Sequence, residues 1–254
     1  MHDLANAEPP QPGIGSFVTT EDAFLLDVDG TILDIAPTPE DVRVPDSLKR
    51  TLAQLQKSTE GALSLVSGRT LVTLDALFAP LALTVIGCHG AEWRIQPDRE
   101  IELRSQPLSL DIKRRLLSAI SDLPQIRIED KDYTFAIHYR RAPELGPELQ
   151  ARLADALKSH ASELRLLQGK FVFEVHQRSF DKGEAVGALM QHAPFRNRRP
   201  VFLGDDTTDQ DAFTVVTNLG GIGISVGQPM IDAAYMFPNP QAARDWLAAI
   251  AAPA

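Results

Sequence analysis

The stretch "AFLLDVDGTILD", residues 23–34, runs four apolar residues into two aspartates, a glycine and a threonine. "AFLLDV" reads as a short strand with both faces buried, the kind that fills a parallel sheet. Asp27 and Asp29 are two apart, so on a strand their side chains project the same way. Both carboxylates then enter the space beyond the C-terminal edge of the sheet, where ligands of parallel sheets bind. Gly30 lets the chain leave the strand without a Cβ clash. An Asp-Gly pair is also an ordinary turn signal. Two like charges on one face repel, however, and neither ionises cheaply unless a cation sits between them.

Outward from this stretch, apolar runs alternate with helical periods. "DSLKRTLAQLQKS" puts Leu48, Leu52 and Leu55 on one helical face, with Asp46 or Ser47 as N-cap. "GALSLVS" is a strand, "RTLVTLDALFAPL" a helix and "LTVIGCH" a third strand. This order predicts a parallel sheet covered by helices. Between Arg94 and Arg178 the pattern changes. "EIELRS", "IRIEDK", "YTFAIHYR", "LRLLQ" and "KFVFEVH" alternate apolar and polar residues, as antiparallel strands with one wet face do. Helices are expected there at 109–121 and 143–162. The first texture returns with helix "KGEAVGALMQH", strand "PVFLGD", helix "DQDAFTVVTNL", strand "GIGISVG" and a C-terminal helix near 242–251. The reading is an α/β core at 21–104 and 178–254, an inserted α+β module at 105–177, and a flexible tail at 1–20, where "NAEPPQPGIGS" lacks periodicity.

The net charge of −9 argues against a nucleic-acid partner, which calls for a basic face. A lone cysteine, Cys88, excludes an internal disulfide. No run reaches the ~18 apolar residues of a membrane span, and the N-terminus has no signal pattern. A cytoplasmic protein without an obligate protein partner is expected.

Three more stretches bear on the chemistry. "LVSGR" puts Ser67 at a strand end and a helix start, where it serves as an N-cap or helps hold a phosphate. "SFDKGEAVGALM" puts Lys182 in the first turn of a helix, against the macrodipole. That is either a surface lysine or an ammonium required by an anion. "VFLGDDTTDQD" places Asp205, Asp206, Asp209 and Asp211 just beyond a strand. N-capping suits Asp209 and Asp211 but not the adjacent pair. The EF-hand glycine and closing glutamate are missing, and hard oxygen ligands with room for water and phosphate suit Mg²⁺.

"DVDGT", "SGR", Lys182 and "GDDTTD", in this order, resemble the haloacid-dehalogenase superfamily of phosphohydrolases. The resemblance implies a Rossmann-like core carrying an inserted α+β cap domain. It implies Asp27 as nucleophile, Asp29 as acid/base, and Ser67 and Lys182 as holders of the phosphoryl group. Mg²⁺ would sit on the Asp27 carboxylate, the Asp29 carbonyl, Asp205 and, directly or through water, Asp209. Thr31 is assigned no more than a supporting hydrogen bond.

In "GKFVFEVH", Lys170, Val172, Glu174 and His176 share one face, while Phe171, Phe173 and Val175 share the other and are expected to pack on helices. The Lys170–Glu174 pair reads as a solvated cross-strand pair or as a clamp for sugar hydroxyls. "GKFVFEVHQRSFDKGEAVGALM", "SGRTLVTLDALFAPL", "HGAEWR", "IAPTPEDVRVP" and "QHAPFRNRRPVFLGDDTTDQDAF" are similar to trehalose-6-phosphate phosphatases. That resemblance implies a small sugar-phosphate substrate. It puts Lys170 and Glu174 on the trehalose hydroxyls and Arg69, His89, Gly90 and Glu92 along the core side of the cleft, with Arg140 a weaker candidate. Cys88, His138 and His176 are expected to be structural. Another sugar phosphatase or a phosphomannomutase-like enzyme on the same scaffold is the alternative.

Overall fold

The structure is a computed structural model that describes residues 18–36, 38, 41–169 and 171–252. Most of the expected tail, and Lys170, lie outside the described residues. The strands are β1 (Ala23–Leu26), β2 (Leu63–Val66), β3 (Thr84–Gly87), β4 (Glu92–Arg94), β5 (Glu102–Leu103), β6 (Arg127–Asp130), β7 (Thr134–His138), β8 (Leu164–Gly169), β9 (Val172–Gln177), β10 (Pro200–Gly204), β11 (Ile222–Val226) and β12 (Tyr235–Phe237). The α-helices are α1 (Asp46–Ser58), α2 (Leu71–Phe78), α3 (Leu110–Ala119), α4 (Gly146–Leu157), α5 (Lys182–Leu189), α6 (Gln210–Asn218) and α7 (Pro240–Ala251).

The chain divides into two units, one of residues 1–102 with 182–254 and the other of residues 103–181. In the first, an eight-stranded sheet has the order β12-β11-β10-β1-β2-β3-β4-β5. The strands from β12 to β3 run parallel and β4 turns back antiparallel on β3. Alternation along β1 explains its wholly apolar sequence. Phe24 and Leu26 pack on one side with Leu48, Leu52 and Leu55 of α1 and Leu247 of α7. Ala23 and Leu25 pack on the other with Val186 of α5 and Phe213 of α6. A strand covered on both faces favours apolar residues along its whole length. Each fully buried leucine contributes about 1.5–3 kcal/mol over an exposed one. β1 lies between β2 and β10, so the chain leaves it in opposite directions on its two sides. Ligands of parallel sheets bind beyond the strand ends at such a reversal of strand order.

The second unit has the sheet order β6-β7-β9-β8, antiparallel throughout. Phe135, Ile137, Phe173 and Val175 pack with Ile112 and Leu116 of α3 and Leu149 and Leu153 of α4.

Several local expectations need correction. Helix α1 starts at Asp46 after Pro45, with no side-chain cap. The helix expected over 143–162 is α4 flanked by 3₁₀ turns at Pro143–Leu145 and Lys158–His160. "EIELRS" yields only the two residues of β5, on the edge of the first sheet and not in the inserted one. Phe171 is not a strand residue packed on helices. It sits in the β8–β9 turn at φ +63° and is 37% exposed, touching Tyr139 edge-on with ring centroids 6.0 Å apart. Among the described residues, no helix is long and apolar enough to cross a membrane.

Candidate active site

Three adjacent strand ends supply the central groups. Asp27 follows β1, and its N–H donates to Leu203 of β10 at 2.9 Å. Ser67 follows β2, and its N–H donates to Ile86 of β3 at 2.9 Å. Asp205 follows β10. Strand β1 ends at Leu26, earlier than the sequence suggests, so Asp27 and Asp29 do not share a strand face. Asp27 turns inward and is 4% exposed. Its Oδ1 accepts from Lys182 Nζ at 2.7 Å and its Oδ2 from Thr31 Oγ1 at 2.8 Å. Asp29 turns to Arg69, which donates from Nε at 2.6 Å and from Nη2 at 2.8 Å to the two carboxylate oxygens.

Lys182 is the first residue of α5 and is 3% exposed. Its ammonium also donates to Asp209 Oδ1 at 2.6 Å. Asp209 Oδ2 accepts the N–H groups of Asp205 at 2.9 Å and Asp206 at 3.3 Å. Burial alone would lower the Lys182 pKa, but the charges of Asp209 and Asp27 outweigh it and hold the ammonium well above its ordinary value. One ammonium cannot neutralise two carboxylates. Asp209 has two amides as well, so Asp27 carries the surplus. Burial, then the Asp209 charge, push Asp27 up to about 8 despite Lys182. Burial and the charges of Asp27, Asp206 and Asp209 push Asp205 up to about 9.

In a cluster whose carboxylates oppose one another's ionisation, a bound cation would relieve the repulsion. Oxygens of Asp27, Asp205 and Asp209 lie within 4.8 Å of one another. The donor set is all carboxylate, which fits a hard divalent ion. Three of the four lone-pair positions of Asp209 are already used, so its share is indirect or a single bond. Two glycines make the approach possible. At Gly30, φ is +86° and a Cβ would fall inside the Asp205 carboxylate. At Gly204 a Cβ would lie 2.7 Å from Asp209 Cγ.

This arrangement has relatives. The family model for trehalose-phosphatase matches residues 25–232. The trehalose-6-phosphate phosphatase of Escherichia coli (strain K12) is 39% identical over 226 residues, 89% of this chain and 85% of that protein. The chain belongs to the trehalose-phosphatase family. A probable trehalose-phosphate phosphatase of Sinorhizobium fredii is 38% identical over 90% of this chain and 87% of that one. Among solved structures, the C-terminal domain of the Candida albicans trehalose-6-phosphate phosphatase superposes with a TM-score of 0.84 at 21% identity. It covers 97% of this chain and 99% of that one, and attests the shared fold.

Within this phosphatase, the segment after β3 is bent hard. Cys88, His89 and Gly90 all have positive φ, of +46°, +54° and +115°. Left-handed backbone in two successive non-glycine residues is costly and persists where surroundings enforce it. Here Cys88 N–H donates to Arg69 O at 2.9 Å, His89 N–H to Ser67 O at 3.0 Å, and Trp93 Nε1 to Gly90 O at 2.6 Å. The buried His89 ring fills the place of a Cβ on Gly68, so "SGR" and "HG" are one interlocked surface. Glu92 Oε2 accepts Leu71 N–H at 2.7 Å, at the start of α2. Glu92 thus anchors that helix as well as lying near the "SGR" turn.

In the second unit of the phosphatase, Glu174 lies on the sheet face opposite the helices and is 7% exposed. Sequence reading missed its partner: Lys131 Nζ donates to Glu174 Oε1 at 2.8 Å. Lys131 sits in the β6–β7 turn, 43 residues away, where nothing local marks it. On the same face His138 Nε2 meets Glu129 Oε2 at 3.1 Å, a contact that holds Glu129 below the usual carboxylate range. Arg165 Nε donates to His176 Nε2 at 3.1 Å. His138 and His176 thus have protein partners.

Proposed function

We propose that this enzyme hydrolyses trehalose 6-phosphate to trehalose and inorganic phosphate through an aspartyl-phosphate on Asp27. The observation that carries the reaction is the buried Asp27 carboxylate, held by Lys182 and Thr31 at the end of the central strand. The substrate rests on the family and on the name of the Escherichia coli relative.

An Asp27 oxygen attacks phosphorus, and the bond from phosphorus to the sugar oxygen breaks. Asp29 protonates the departing alkoxide, then accepts a proton from the water that cleaves the acyl phosphate. Both Asp29 oxygens accept from Arg69 in the structure, so that pair must loosen before Asp29 donates a proton. Lys182, already beside Asp27, faces the equatorial oxygens where charge spreads, and Ser67 adds a hydroxyl. Mg²⁺ on Asp27, the Asp29 carbonyl and Asp205 would supply further charge stabilisation when bound. Lys170 and Glu174 are assigned to the trehalose hydroxyls, and Arg69, His89, Gly90 and Glu92 to substrate contacts from the first unit. The net charge of −9 suits a small metabolite and not nucleic acid, and a cytoplasmic setting fits an enzyme acting on such a metabolite.

Phosphate release from trehalose 6-phosphate, glucose 6-phosphate and mannose 6-phosphate, with Mg²⁺ and with EDTA, tests this. Turnover of the first alone, abolished by EDTA, is expected. Equal turnover of all three would keep the nucleophile and reject the trehalose assignment.

The carboxylates also set a pH dependence. Asp27 and Asp205 hold their protons in the fold up to about 8 and 9. The unfolded chain releases them near ~4. Between those limits the folded state binds more protons, so cation-free stability falls as pH rises from about 4 towards 9. A cation competes with these protons. Saturating MgCl₂ should therefore raise Tm more at about pH 8.5 than at about pH 6. Equal shifts at both pH values would contradict the raised values.

A further inference from the structure

We infer that Gln228 is a positioning residue for the cation-binding loop, acting through the main chain of Asp205. This rests on the cation reading above. Asp205 has its N–H fixed by Asp209 Oδ2 at 2.9 Å, on one side. On the other side its carbonyl accepts Gln228 Nε2 at 2.7 Å. With both peptide groups held, what remains free in Asp205 is the rotation of a short side chain. That side chain points to Gly30 and Thr31, with Thr31 Oγ1 3.4 Å from Asp205 Oδ1.

Gln228 can act as a fixed point because its own loop is tied down. The loop leaves β11 at Gly227, whose φ is +78° and whose N–H donates to Phe237 O at 2.8 Å. Helix α6 then holds the far side of the loop through three side chains. Gln210 Nε2 donates to Ile231 O at 3.0 Å, Thr214 Oγ1 to Asp232 Oδ2 at 2.7 Å, and Thr217 Oγ1 to Asp232 O at 3.1 Å. Of these tethers, Gln228 alone reaches the residue that carries a candidate ligand. A group that orients a ligand affects cation affinity more than the chemical step, and its loss typically costs about tenfold or more. Gln228 is exposed, so water replaces part of its bond and the effect belongs at the low end of that range.

The test compares Gln228→Met, which keeps volume and removes the donor, with Gln210→Ala, which loosens the same loop without touching Asp205. MgCl₂ is titrated against each full-length variant, reading Tm and, separately, phosphate release. Gln228→Met should raise the Mg²⁺ midpoint about five- to tenfold in both readouts, with kcat at saturating Mg²⁺ within about twofold of wild type. Gln210→Ala should leave the midpoint in place. An unchanged midpoint in Gln228→Met, or an equal shift in both variants, would overturn the assignment. A wild-type protein whose Tm ignores Mg²⁺ would instead remove the cation reading on which it rests.

Discussion

Asp27→Asn should lower phosphate release by about 10⁴-fold or more, while the cation-free protein becomes more stable at about pH 8.5. The first effect follows from removing the attacking oxygen, since the amide is no nucleophile towards phosphorus. The second follows from charge. Asp27 is buried beside Asp209, and its ionisation is opposed up to about pH 8 even with Lys182 at 2.7 Å. A neutral isostere removes that opposition. The gain should be smaller at about pH 6 and vanish only near ~4, where the unfolded chain keeps the proton as well. It should reverse with saturating Mg²⁺, because the variant lacks one ligand. Thermal unfolding at the two pH values, with and without MgCl₂, separates these outcomes. A variant equally destabilised in every condition would mean that Asp27 supports packing and not a charge cluster.

Lys182→Met should be the most destabilising single change to the site. Its ammonium is the protein's own counter-charge to Asp27 and Asp209, at 2.7 and 2.6 Å, in a setting where all three are almost fully buried. Removing one member of a buried ion network leaves its partners uncompensated, a cost of about 3–5 kcal/mol. For a chain of this size that corresponds to roughly 6–20 °C in Tm. The cost should shrink as pH falls towards about 5 and the stranded carboxylates take up protons. Turnover should fall by about 10³-fold or more, as for loss of a strong donor to developing charge. A Tm left unchanged by Lys182→Met would be incompatible with the ion pairs, so urea or heat unfolding at about pH 8 is the decisive reading for this variant.

The parts of this site that were legible in the sequence are those where chemistry contradicts local convenience. Two aspartates ending an apolar run, an adjacent Asp pair after another, and a lysine at the wrong end of a helix each need an external reason. Asp27, Asp205 and Lys182 supply it by converging at neighbouring strand and helix ends. The apolar runs that marked the core strands also worked, because those strands are buried on both faces. What escaped is long-range pairing. Lys131 and Glu174 are ordinary residues in their own strands and turns, and only the register of β7 on β9 brings them together. The bidentate engagement of Asp29 by Arg69 spans 40 residues and likewise leaves no local trace. Short elements such as β4 and β12 carry too few residues for a period to register. Phe171 was misplaced because hydrophobic alternation continued through what is a tight turn, where backbone angle overrides side-chain type.

The central position of β1 has a consequence for how the protein comes into being. Its partner β2 follows within the same stretch of chain, but its partner β10 begins only at Pro200. A ribosome moving at roughly 5–20 residues per second takes on the order of ten to thirty seconds to cover that interval. Throughout it, one edge of a wholly apolar strand has no native neighbour, and the nascent chain offers an open template for wrong pairing. The seam that closes when β10 docks is the same seam that joins Asp27 to Asp205 and Asp209. Completion of the barrier against misassembly and assembly of the reacting groups are therefore a single event.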